Sequence, residues 1–88
     1  MKKLLPLGSV VMLKGGKKRI MIVGRIQQLV NVDKIFDYSA CYYPEGILDP
    51  KDLFLFNNED IDTVYFVGFQ DTEEFQFRSY IEEKINAE

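Results

Sequence analysis

The sequence predicts an α+β domain: a small five-stranded antiparallel sheet closed into an SH3-like barrel, with a C-terminal helix packed on its outside. Three observations predict it. Short apolar, β-branched runs recur between turn residues, as in small all-β cores. A glycine interrupts the longest run, where a small sheet bends. The end of the chain then changes to a helical period behind a capping signal. An open antiparallel sheet covered by the same helix satisfies the same local signals. The 88 residues fit a single domain (1–88), about 5–69 for the barrel and about 71–86 for the helix.

Leu7 to Leu13 is apolar and β-branched and ends at Lys14-Gly15-Gly16-Lys17, where paired glycines supply the positive φ of a tight hairpin. The returning strand runs from Lys18 to about Gln28, with Gly24 at its middle. After a looser link from Leu29 to Phe36, Asp37 to Tyr43 reads as a third strand ending at the turn Pro44-Glu45-Gly46. Leu53 to Phe56 reads as a short fourth strand. Asn57 to Ile61 then forms a capped turn of 3₁₀ type leading into a fifth strand around Val64-Tyr65-Phe66-Val67.

Ile20 to Val23 and Val64 to Val67 are each apolar at four consecutive positions, so both faces of these strands want cover. The C-terminal segment is the expected roof. Asp71 and Glu74 make a capping box opening a helix from Thr72 to Asn86, on which Phe77, Tyr80, Ile81 and Ile85 share a face. Burying those four contributes roughly 6 to 12 kcal/mol before entropy is subtracted. Phe75 points away from that stripe and is expected to tuck under the start of the helix.

Charge is strongly segregated. Met1 to Val30 holds seven basic residues and no acid, formally +7; the remainder holds fourteen acids against four basic residues, formally -10. Such polarity suits docking on a complementary protein surface but names no substrate. The single Cys41 excludes an internal disulfide, and the absence of His leaves no zinc-binding set and no common general base. No cofactor or metal is expected, and no catalytic residue. Met1-Lys2-Lys3-Leu4-Leu5 imitates the start of a signal peptide, but Pro6, Gly8 and Lys14 break the apolar run. No run approaches the ~20 apolar residues of a membrane span. These features point to a reducing, cytoplasmic setting without membrane insertion.

The candidate binding residues fall in three groups. Lys14, Lys17, Lys18 and Arg19 concentrate charge at a hairpin tip able to contact phosphates or acidic protein surface, although a sequence pI near 4.9 argues against a nucleic-acid groove. Tyr38, Tyr42 and Tyr43 beside Pro44 offer aromatic material of the kind used to grip extended peptides, unless the rings fill the core. Phe75, if not tucked, is free for a partner. Cys41, among Ala40 and Tyr42, reads as a small buried hydrophobe. Glu59, Asp60 and Asp62 lack the spacing of a calcium loop and read as solvated acids at a helical N-terminus.

The strings Leu5-Pro6-Leu7-Gly8-Ser9-Val10-Val11-Met12-Leu13-Lys14-Gly15-Gly16, Ile20-Met21-Ile22-Val23-Gly24-Arg25, Asp37-Tyr38 with Tyr43-Pro44-Glu45-Gly46, and Phe56-Asn57-Asn58-Glu59-Asp60-Ile61-Asp62 with Val64-Tyr65-Phe66-Val67-Gly68 occur here in that order. Together they resemble the small bacterial family catalogued as domain of unknown function 4176. The resemblance implies a protein of Gram-positive bacteria, often encoded beside type VII secretion genes and their LXG-type toxins, with an accessory, targeting or chaperone-like role. It carries over no catalytic residues. The expectation is a non-enzymatic module with a protein partner. A small nucleic-acid-binding regulator using the basic hairpin is the alternative, and a hydrolase built on the acids near Glu59 is more remote. Exposed sheet edges and Phe75 also leave a homodimer open.

Overall fold

The computed structural model describes residues 3–28, 31 and 33–87. Five strands, β1 (Val10–Leu13), β2 (Ile20–Gln28), β3 (Ile35–Tyr42), β4 (Phe54–Phe56) and β5 (Ile61–Phe66), precede one helix, α1 (Thr72–Asn86). The sheet is antiparallel, in the order β4-β3-β2-β1-β5. It is open. Among the described residues β4 pairs only with β3 and β5 only with β1, so of the two arrangements the sequence admits, the open sheet under a helix is the one formed.

Local signals place the strands well. The hairpin turns at Gly15, with φ +76°, and Gly16 N–H donates to the Leu13 carbonyl at 2.9 Å. The β2–β3 register slips between Ile22 and Gly24, where a Cβ at Gly24 would stand 2.4 Å from the Ser39 hydroxyl. Ile26, a β-branched residue at φ +55°, adds a strained kink. At that kink Arg25 reaches α1 while Ile26 packs on the core. β3 begins at Ile35, within the segment expected to be a link; Leu29, Val30 and Val32 of that link, like Met1 and Lys2 of the signal-like start, lie outside the described residues. A one-turn 3₁₀ helix at Pro50–Asp52, capped by Asp49, precedes β4, and a second at Asn58–Asp60 precedes β5.

The core sits between the sheet and α1: Leu4, Val11, Ile20, Ile22, Tyr38, Ala40 and Phe56 are buried, with Ile81 and Ile85 packed against them. Two apolar expectations need correction. β5 is not covered on both faces; as an edge strand it leaves Val64, Tyr65, Phe66 and Val67 all more than 40% exposed. The expected helical stripe is also rotated. Ile81 and Ile85 pack inward, whereas Phe77 and Tyr80 are more than half exposed, and Phe75 is exposed rather than tucked.

The reason lies in polar groups. α1 meets the sheet through Glu74, Arg78, Ile81, Glu82 and Ile85, a face turned about 60° from the apolar stripe at 100° per residue. Arg25 makes a bidentate ion pair with Glu74, at 2.6 and 2.8 Å, with the two side chains 5% and 12% exposed. Leu4 N–H donates to Glu82 Oε2 at 2.7 Å and Arg78 donates to the Leu4 carbonyl at 3.3 Å. The N-terminal segment is thus strapped beneath the helix, and leaving those groups unpaired would cost more than exposing two aromatic rings. Asp71 caps the Glu74 N–H at 2.9 Å, but the Glu74 carboxylate turns to Arg25, so only half of the expected capping box forms.

The other end of the strap is held by the Asn57-Asn58 pair. Tyr38 OH donates to Asn58 Oδ1 and accepts from Leu5 N–H at 2.9 Å, while Asn58 Nδ2 donates to the Lys3 carbonyl at 2.7 Å. Asp37 N–H donates to Asn57 Oδ1 and Asn58 N–H donates to Asp37 Oδ2, at 3.0 and 2.9 Å. Burial pushes the Tyr38 phenol up to about 12.

Candidate functional site

Alternate residues of a strand point to opposite faces, so the Val11–Ile20 pair enters the core while the neighbouring Val10–Met21 pair faces away from α1. On this outer face lies an open groove of about 400 Å³, lined by Gly8, Val10, Arg19, Met21, Tyr43, Tyr65 and Phe66. A second hollow of about 370 Å³ shares Arg19, Tyr43 and Tyr65 with it and adds Met12, Lys17, Lys18 and Pro44. The two form one trough, apolar at the Phe66 end and basic at the hairpin end.

Local irregularities build this lining. The β1–β5 register shifts between Val10 and Val11, so Tyr65 is the extra residue between the paired Phe66 and Val64, and both Tyr65 and Phe66 reach the trough. Arg19 lies over the Tyr65 ring, 4.6 Å from its centroid, a cation on a negative π face. Lys18 Nζ pairs with Glu45 Oε1 at 2.8 Å, and this hydrogen bond holds the Glu45 carboxyl below its ordinary range. Gly46, at φ +85°, closes the turn behind Glu45, its N–H donating to the Tyr42 carbonyl at 2.8 Å.

Of the residues singled out from sequence, Lys17, Lys18, Arg19 and Tyr43 come together here. Lys14 is exposed nearby, its backbone N–H donating to the Asp60 carbonyl at 2.8 Å. Tyr42 and Tyr43 part to opposite faces: Tyr42 packs edge-on to Phe54, with centroids 5.0 Å apart, on the core side. Tyr38 is withdrawn from any surface, being fully buried. Phe75 is on α1, beneath the Arg78 guanidinium at 5.1 Å. Cys41 is buried. Met12, Met21, Tyr65 and Phe66 were not identified from sequence; the uncharged run Thr63 to Phe69 was the available signal, and it reads equally as core.

The trough offers fixed cations, aromatic faces and two flexible thioethers, which suits contact with a complementary chain. Among the described residues no group of three or more Cys, Asp or Glu side chains is arranged to hold a metal ion, and no helix is long and apolar enough to cross a membrane. The family model described as "Domain of unknown function (DUF4176)" matches residues 4–77, which takes in the whole sheet and the first turns of α1. Neither curated proteins nor solved structures include a match to the chain.

Proposed function

The chain belongs to the DUF4176 family, and from that premise we propose that it acts by binding rather than by catalysis. It is a cytoplasmic protein-binding accessory module: an adaptor, targeting factor or chaperone-like protein linked to type VII secretion of LXG-type toxins. The observation that carries the binding reading is the trough, where Tyr43, Tyr65 and Phe66 stand exposed beside Lys17, Lys18 and Arg19. The secretion link rests on the family resemblance.

That lining fits an extended, acidic segment bearing at least one large apolar side chain. Aromatic anchors supply affinity, while the basic rim steers and orients the approach, so binding should weaken as salt rises. The test is co-purification with an LXG-type toxin from the same genome. Phe66→Ser is expected to lower recovery at least tenfold, and Lys17→Glu with Lys18→Glu to abolish the salt dependence. Equal recovery of all variants would reject the trough as the interface. A low-salt gel shift with duplex DNA and RNA checks the competing assignment, and tight binding there would overturn this one.

A further inference from the structure

A different observation, the bare edge of β5, carries an inference about assembly. We infer that β5 pairs antiparallel with β5 of a second copy across a two-fold axis, joining two five-stranded sheets into one.

β5 ends the strand order, so one side of its backbone has no strand partner among the described residues, and an open edge of this kind templates further pairing. Proteins that keep such an edge single blunt it with charge, proline or bulges that twist it away. Beyond Asp62 at its start and the bulge at Tyr65, the stretch from Thr63 to Phe69 carries no charge and no proline. The opposite edge, β4, is only three residues long and is flanked by the two 3₁₀ turns.

The chemistry suits self-pairing. The one charge on β5 is Asp62, and an antiparallel register centred anywhere from 64 to 66 sets it against residue 66 to 70 of the other copy, all uncharged. Parallel pairing would oppose Asp62 to itself. The area is also sufficient. Tyr65, Phe66 and Phe69 are 49, 61 and 78% exposed and Val64 and Val67 44 and 45%. At ~200 Å² per ring these five side chains present roughly 500 Å² of apolar surface, near the upper end for a lone monomer. With the strand backbone added, that approaches the ~800 Å² per partner of a standard interface. Isologous two-fold contact is the commonest way for identical chains to close. Pairing would also bring the two troughs alongside each other, since Tyr65 and Phe66 line both trough and edge.

Sedimentation velocity and light scattering on the full chain are expected to give twice the 10.3 kDa chain mass. Val64→Lys with Val67→Lys, which spares the trough, is expected to return the mass to 10.3 kDa with an unchanged far-UV spectrum. Single cysteine substitutions across 63–67, such as Tyr65→Cys, report the geometry without relying on that variant. Oxidative cross-linking should peak at one position and fall on either side, and Lys51→Cys beside the far edge should not cross-link. Monomer mass at every concentration, or a dimer that persists in the lysine variant and cross-links through Lys51→Cys, would overturn the inference.

Discussion

Removing one partner of the Arg25–Glu74 pair is the sharpest test of how the helix is held. Both side chains are nearly out of solvent and share two short hydrogen bonds, so neither charge can turn to water when the other is lost. Breaking a buried pair from one side costs about 3 kcal/mol or more, against a total stability of roughly 4 to 13 kcal/mol for a chain of this size. Arg25→Met and Glu74→Leu are each expected to lower Tm by about 12 to 24 °C. The double variant replaces the pair with apolar volume and should return to within about 1 kcal/mol of the parent. Urea unfolding followed by far-UV and tyrosine near-UV dichroism closes the cycle, in 0.1 M and in 1 M salt. Single variants costing under ~1 kcal/mol, strictly additive losses, or a cost that vanishes in high salt would mark an ordinary surface pair and refute the docking account.

Gly68→Ala would place a Cβ 1.9 Å from the Leu7 carbonyl oxygen and 3.0 Å from Ser9 N, backbone atoms that cannot step aside. A loss of about 3 kcal/mol or more in urea is expected, and an unchanged midpoint would disprove the close approach. Tyr38 gives a pH signature. Its folded value, about 12, is raised chiefly by burial from the 10.0 of an ordinary phenol, so its neutral phenol contributes full stability below pH 10. That contribution is lost as pH climbs toward 12, by up to about 1.4 kcal/mol per pH unit. Tyr38→Phe should lack this slope while losing ~1 to 3 kcal/mol at neutral pH from the unpaired Leu5 N–H and Asn58 Oδ1. Identical slopes in parent and variant at pH 10 to 11 would count against it.

What was legible in the sequence was local. Gly15 at the hairpin, the slip beside Gly24, the Asp71 cap and the Asn57-Asn58 turn are each written in a few adjacent residues. Pairing order is not local. Val64 to Val67 has the composition of a buried strand, and only the long-range choice of β1 as its single neighbour makes it an edge. The inward face of the helix, not its extent, departs from expectation for a related reason: hydropathy counts Phe77 and Tyr80 but is blind to Arg25 and Leu4, whose polar groups decide which side of α1 turns inward. Part of the trough was visible because Lys17, Lys18, Arg19 and Tyr43 stand out as charge and aromatic beside turns. Tyr65 and Phe66 arrive from a distant part of the chain through a bulge that no periodicity announces.

The N-terminal strap has a consequence for synthesis. Leu4 N–H donates to Glu82, which is made 78 positions later, and β1 must wait for β5. The sheet therefore cannot be roofed until α1 has been made, and the greasy segments synthesised before it stay uncovered during that part of elongation.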